Sequence, residues 1–299
     1  MILQFGRYAA GALLLCASAA ASAGLPTFCQ QSLDIKAADQ DRVLRFAGAV
    51  KAELERSGSR MALVSRAGLD LSRFGQLYSH AGIALRDNPG GPWAVRQLYY
   101  ACDESRPRLF DQGLAGFALA ADTPARGHVS LVFLPEDTGR PLEKAALDKR
   151  LALALLAGQY SANAYAYGTR YQNCNQWLVE LIASAWGGLD GNREQAQQWL
   201  REHDYVAGPV RIPSHWMMFA GQFVPLVHMN DHPPEDTYAL ALQVSVPASI
   251  ETLVRRQAPG AQRVELCHTR ERIVVHRGWE LLGAACEPGP GDEVIALAP

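Results

Sequence analysis

Cys174 stands where the sequence predicts a reactive thiol, at the start of an apolar run with helical spacing. The run has its apolar residues at Leu178, Leu181, Ile182, Ala185 and Trp186, and Gly187 and Gly188 end it. Asn173 is a good helix cap, so Cys174 falls in the first turn, where unpaired N–H groups and the positive end of the helix dipole favour a thiolate. This position predicts a nucleophile, and a buried thiol that only fills the core is the alternative.

A cysteine nucleophile near neutral pH needs a base, and His80 is the candidate among the eight histidines. Two strand-like runs flank the turn at residues 88–91, which predicts a β-hairpin. Strand alternation puts His80 on one face with Tyr78, Gly82 and Ala84. Because the residues beside His80 are small, the end of a helix has room to approach the imidazole. The alternative is a strand histidine that bonds only to a backbone carbonyl.

Residues 1–23 resemble a secretory signal peptide, with an early arginine, an apolar centre and a small-residue ending that predicts cleavage after about Ala23. In a lipoprotein, the alternative, Cys16 would be acylated, but Leu15 precedes it where a small residue is wanted. No later segment reaches the roughly 20 apolar residues of a membrane-spanning helix. The sequence therefore predicts a periplasmic or secreted protein without a transmembrane segment in the mature chain.

Export changes how the cysteines are interpreted, because cysteines tend to pair in an oxidising compartment. Of the six cysteines, five follow residue 23. Cys267 and Cys286 are separated by little more than a hairpin and form the first predicted pair. Cys29 and Cys102 form the second. Cys174 is left over, as either an intermolecular link or a reactive thiol.

Several function classes are excluded by the composition. The formal charge is −2 and no run of Lys and Arg occurs, which argues against a nucleic-acid partner. No glycine-rich phosphate loop, dinucleotide fingerprint or G-x-S-x-G elbow is present. His228, Asp231 and His232 have no clear third ligand on regular structure. We therefore predict neither a metal nor another cofactor.

The remaining pattern predicts an α+β fold with a small antiparallel sheet packed by helices on one side. Helices are predicted at residues 39–56, 142–156 and 192–203, with strands at 61–65 and 128–135. Residues 215–236 are predicted to be loop-rich and form either an apolar lip for a substrate or core packing. The strands and helix predicted after residue 237 either form an accessory sheet or extend the main one. We divide the chain into the signal peptide, a core at 24–190 with its N-terminal helix, and a C-terminal α/β extension at 191–299.

Four blocks, LDLSRFG, YSHAGI, RQLYYACDE and TRYQNCNQW, resemble an uncharacterised family of exported bacterial proteins, a domain of unknown function. The order of a histidine strand before a cysteine helix resembles the circularly permuted branch of the papain-like NlpC-type cysteine hydrolases. This second similarity covers about residues 61–188. It implies a papain-like core, with Cys174 as the nucleophile and His80 as the general base.

The resemblance also implies a third polar residue that orients the imidazole from the next strand. In the next strand, Tyr99 is predicted to lie directly across from His80. Gln97 and Asp103 are predicted to share the face of Tyr99, and both are candidates for the orienting residue. The Cys174 N–H is the first oxyanion donor, and Tyr171 or Gln172 would supply the second.

The implied function is an exported cysteine hydrolase or acyltransferase. It would cleave an amide or ester in a cell-envelope peptide or lipid-linked substrate through an acyl-thioester. One alternative is a non-catalytic envelope binding module on the same scaffold. A redox protein is a third option, but it would need a resolving cysteine near Cys174, and the sequence has none nearby.

Overall fold

An eight-stranded antiparallel sheet dominates the computed structural model, which describes residues 35–119 and 125–297. The strands are β1 (Met61–Arg66), β2 (His80–Leu85), β3 (Ala94–Ala101), β4 (Arg106–Gln112), β5 (Gly127–Phe133), β6 (Gly208–Arg211), β7 (Ala241–Val244), β8 (Gln262–His268), β9 (Arg272–Arg277) and β10 (Glu293–Ala296). The helices are α1 (Ala37–Arg56), α2 (Leu114–Leu119), α3 (Glu136–Leu147), α4 (Lys149–Ala154), α5 (Cys174–Gly187), α6 (Arg193–Glu202), α7 (His215–Gly221), α8 (Pro234–Tyr238) and α9 (Pro247–Gln257). The predicted signal peptide and Cys29 lie outside these residues, so both remain predictions, as does the Cys29–Cys102 bond.

The sheet is larger than the small sheet predicted from the sequence. Its order is β10-β9-β8-β5-β1-β2-β3-β4, and β6 and β7 form a separate two-stranded sheet. β8 pairs with β5 along its whole length, from Gly127 opposite His268 to Phe133 opposite Gln262. An unpaired edge of β5 would leave backbone groups without partners, and β8 supplies them. The C-terminal strands thus extend the main sheet, one of the two arrangements predicted for them.

Helices cover both faces of the sheet, and the prediction that they pack on one side is wrong. In β1, Met61 and Leu63 belong to a core with α3, α5 and α9, while Ala62 and Val64 belong to a core with α1 and α2. Strands β1, β2 and β5 are buried at every position. Such continuously buried strands need a covering layer on each side.

The local predictions are largely confirmed. The predicted N-terminal helix is α1, and the predicted hairpin is formed by β2 and β3. The helix predicted at 142–156 is instead divided into α3 and α4 at Asp148. That residue has an extended ψ of 100°, and its side chain accepts the N–H groups of Arg150 and Leu151. An aspartate that caps a new helix therefore ends the periodic run.

Residues 215–236 contain two short helical segments as well as loops, since α7 and the start of α8 fall there. The predicted bond between Cys267 and Cys286 is confirmed, with the two Cα atoms 5.8 Å apart. Within the described residues, no helix has both the length and the apolar character needed to cross a membrane.

Candidate functional site

Cys174 is the first residue of α5 and a free thiol. The Asn173 side chain caps the helix: its Oδ1 accepts the Gln176 N–H at 2.7 Å. The same amide donates to the carbonyls of Ala162 and Ser245, at 3.2 and 3.3 Å. The helix start predicted from the sequence is confirmed, and the Asn173 amide ties it to two other segments of the chain.

The first turn of α5 packs against the beginning of β2. Asn175 Nδ2 donates to the Ser79 carbonyl at 3.3 Å, and the Ala81 backbone N–H lies near enough to the Cys174 sulfur to lower its pKa. β2 pairs with β3 only from Ile83 to Leu85. The sulfur therefore lies at the unpaired start of β2, beside the residue that follows His80.

His80 is buried, and its ring is held by Gln97. His80 Nε2 and Gln97 Oε1 form a hydrogen bond, and Gln97 Nε2 donates to Gln112 Oε1 at 2.7 Å. Because an amide oxygen only accepts, Nε2 of the imidazole carries its proton and Nδ1 keeps a lone pair. Gln97 is thus the partner that the structure gives to His80. Asp103 lies exposed in the turn after β3, because that strand ends two residues earlier.

The thiol and the imidazole lie on opposite faces of the sheet, at the unpaired start of β2. We call this part of the molecule the open end of the sheet. The His80 ring lies 5.6 Å from Tyr99 and 6.1 Å from Phe117, which belongs to the α1 and α2 side. Cys174 packs with Ala81 in the core on the other side. No hydrogen bond within the described residues joins the sulfur to the imidazole. In this conformation the two side chains lie on opposite faces of the sheet.

Burial keeps both groups neutral. It raises the pKa of Cys174 to about 11, although the Arg66 charge and backbone N–H groups lower it. Burial also lowers the pKa of His80 to about 3, helped by the Arg66 charge and opposed by the Gln97 bond. The prediction that the helix start favours a thiolate is wrong for this state, because desolvation outweighs the helix terminus.

Two further residues, Arg66 and Tyr160, lie near the thiol and were not predicted from the sequence. Arg66 is buried at the end of β1, and its guanidinium lies 5.3 Å from the centre of the Phe117 ring. Tyr160 lies close enough to Cys174 for a thiolate to raise its pKa, after the larger effect of burial. Its hydroxyl makes no hydrogen bond within the described part of the chain. Arg66 could have been noticed in the sequence, because it is a charged residue directly after the run MALVS. Nothing in the local sequence marks Tyr160.

Tyr171 and Gln172 both make contacts elsewhere in the fold. The Tyr171 ring stacks on His228, with ring centres 4.6 Å apart. Gln172 Nε2 donates to the Leu155 carbonyl and to Glu180, at 2.9 and 2.6 Å. Its backbone N–H donates to the Gln159 carbonyl. Gln172 therefore has no donor left for an oxyanion, whereas the role of Tyr171 stays a prediction.

A buried ion pair holds the loop before Cys174. Arg193 donates to Glu180 at 2.8 Å and also to the carbonyls of Thr169 and Tyr171. Gln176 Nε2 donates to the Gly168 carbonyl at 2.8 Å. Breaking a buried pair by removing one partner is costly, so this network holds the loop in one conformation.

His228 and His232 make contacts within the fold. His228 stacks on Tyr171, and His232 Nε2 bonds to the Asn163 carbonyl at 2.6 Å. In residues 35–119 and 125–297, no three His, Cys, Asp or Glu side chains come together as metal ligands.

A family model matches residues 53–254, and its description is an uncharacterized protein conserved in bacteria (DUF2145). The match includes β1, the hairpin and the whole of α5. No curated protein and no solved structure matches the chain.

Proposed function

The chain belongs to the conserved bacterial family DUF2145, and from that premise we propose that it is an exported cysteine hydrolase or acyltransferase. It would act in the periplasm or outside the cell, on an amide or ester of a cell-envelope peptide or lipid-linked substrate. The scaffold is proposed to be a circularly permuted papain-like core of the NlpC type, in which the histidine strand precedes the cysteine helix.

One observation carries the proposal. A free thiol at the first residue of a capped helix lies near the backbone N–H of Ala81, and the residue before Ala81 is His80, whose Nε2 is held by Gln97. A nucleophile, a base and a group that orients the base are the three parts of a covalent acyl-transfer site.

The neutral resting pair sets the order of proton transfers. As the Cys174 sulfur attacks the carbonyl carbon, its proton moves to Nδ1 of His80. The carbonyl oxygen becomes an oxyanion. The tetrahedral intermediate then breaks its bond to the leaving amine or alcohol, which takes the proton from His80. Water or another acceptor attacks the thioester with His80 again as base, and the thiol is restored.

The sulfur must first come within reach of Nδ1, which requires a conformational change, because the two side chains lie on opposite faces of the sheet. Catalytic hydrogen bonds are often long in substrate-free sites and tighten on binding. The Cys174 N–H is the first proposed oxyanion donor, as the sequence predicted. The Tyr160 hydroxyl is the second, in place of Gln172, because it lies near the thiol.

Acyl transfer from p-nitrophenyl acetate to the full-length protein tests the proposal. We expect release of nitrophenolate and an acetyl group on the Cys174 peptide in mass spectra. His80→Ala is expected to slow acetylation by about 100-fold or more, the usual contribution of a general base. Gln97→Ala is expected to slow it by about tenfold, because the imidazole loses its orienting partner.

His268→Ala is the matched control, since His268 is a second buried strand histidine with a lowered pKa and belongs to β8. It should acetylate at the wild-type rate. Acetylation of Cys174 that is as fast in His80→Ala as in wild type would refute the proposal.

The burial of the site supports a second candidate, a binding module without turnover. Cys174 is 6% exposed and His80 is 8% exposed. Under this hypothesis Cys174→Ala keeps the phenotype of the wild-type protein in a deletion strain, whereas an enzyme would lose it.

A further inference from the structure

Arg66 shares the open end of the sheet with the two proposed catalytic groups. It is the last residue of β1 and lies opposite His80 in the β1–β2 register. Its guanidinium packs over the Phe117 ring at 5.3 Å, and the same ring lies 6.1 Å from the imidazole. The Arg66 side chain is therefore directed to the His80 side of the sheet.

The guanidinium also reaches the segment that contacts α5. A Cβ atom at Gly68 would overlap Arg66 Nη1 and come within 2.9 Å of Ser79 Oγ, so Nη1 lies over Gly68, close to Ser79. The Ser79 carbonyl in turn accepts the side chain of Asn175, the residue after Cys174. In agreement with this position, the Arg66 charge lowers the pKa of both Cys174 and His80.

We propose that Arg66 binds a negatively charged group of the substrate, a carboxylate or a phosphate, close to the carbonyl that Cys174 attacks. This inference rests on the proposed acyl-transfer function and specifies its substrate class. Arg66 is 5% exposed, and a charge in a poorly solvated site interacts more strongly than one in water. Guanidinium has five N–H donors in a planar fork that matches both anions, so it binds one while keeping other contacts.

A pair of alkylating reagents that differ in charge tests this. Iodoacetate is an anion and iodoacetamide is neutral, while both have the same leaving group. The rate of Cys174 alkylation by each is measured by mass spectrometry, in folded protein and in protein unfolded in urea. We expect the ratio of the iodoacetate rate to the iodoacetamide rate to be about tenfold higher in the folded protein, as for one favourable charge contact.

Variants assign the effect to Arg66. Arg66→Gln should lower the ratio to that of the unfolded protein, and Arg66→Lys should keep most of it. Arg86→Gln is the matched control, because Arg86 also packs over an aromatic ring, that of Trp93, but follows the other end of β2. It should leave the ratio unchanged.

A wild-type ratio no higher than that of unfolded protein would overturn the inference, as would an Arg66→Gln variant that folds and keeps the ratio. If Arg66→Gln does not fold, the comparison of folded with unfolded wild-type protein still tests the inference. Alkylation needs no turnover, so its result can be told apart from a failure of acetyl transfer.

A competition experiment identifies the anion that Arg66 binds. At equal ionic strength, stronger slowing of the iodoacetate reaction by sodium acetate assigns a carboxylate, and stronger slowing by sodium phosphate assigns a phosphate.

Discussion

At the scale of single residues, the candidate site is defined by what surrounds the thiol and the imidazole. Cys174 and His80 are both desolvated, and burial is the largest influence on each pKa. The site therefore does not store a thiolate–imidazolium pair. It holds a neutral thiol and a neutral imidazole on opposite faces of the sheet, and Gln97 and Gln112 orient the imidazole through two successive hydrogen bonds.

The pH dependence of alkylation tests this description. Because the thiol pKa is raised to about 11, only the small thiolate fraction reacts at neutral pH. We expect the rate of Cys174 alkylation by iodoacetamide to rise about tenfold for each pH unit between about pH 6 and about pH 9.

Protein unfolded in urea is the control, and its thiol should level off near an ordinary pKa of about 8.5. A plateau in the folded protein near neutral pH would contradict the neutral pair and indicate a preformed thiolate.

At the scale of elements, the site depends on how closely β3 approaches β2. Gly82 lies two residues after His80 on the same face of the sheet. A Cβ atom there would come within 2.7 Å of Val95, 2.9 Å of the Arg96 carbonyl and 3.2 Å of Gln97. The missing side chain therefore brings Gln97 within hydrogen-bonding distance of the imidazole.

We expect Gly82→Ala to lower the free energy of unfolding by about 1–3 kcal/mol, the usual cost of overpacking a core. It should also slow acetylation of Cys174, because β3 is pushed away from His80. Urea denaturation and the p-nitrophenyl acetate assay measure the two effects.

Gly48→Ala is the matched control, because Gly48 is exposed in the middle of α1 and a Cβ there meets nothing within 4 Å. It should raise the free energy of unfolding by up to about 1 kcal/mol through helix propensity. A Gly82→Ala variant as stable and as reactive as wild type would show that the close approach of β3 is not needed.

At the scale of the whole molecule, a sheet covered on both faces buries histidines at several strand positions. His80 is one, and His268 in β8 is another, with its pKa lowered to about 4 mainly by burial. Both have a pKa of 6.5 when unperturbed. Below that pH the unfolded chain binds protons that the folded chain does not.

Stability should therefore fall as the pH drops from about 6.5 towards about 4. Each of these two histidines contributes a slope of up to about 1.4 kcal/mol per pH unit. Urea denaturation at about pH 7.5 and about pH 5 measures the loss. His268→Asn should remove part of it, because one of the buried histidines with a lowered pKa is gone, while His80 and His128 remain. Equal free energies of unfolding at the two pH values would contradict this account.

The sequence by itself determined the features that are decided within a few residues. The start of α5 follows from the Asn173 cap and the apolar spacing after Cys174. The hairpin follows from the turn between β2 and β3. The face shared by His80, Gly82 and Gln97 follows from strand alternation. The Cys267–Cys286 bond follows from pairing across a separation of 19 residues.

Only the tertiary structure decided the environment of the site. The addition of β8 to β5, the engagement of Gln172 by Glu180, and the positions of Arg66 and Tyr160 all join residues far apart in the chain. Desolvation likewise depends on everything packed around a group, so the helix start predicted a thiolate where burial gives a thiol. Periodicity and caps are local properties, whereas burial and long-range pairing belong to the folded chain as a whole.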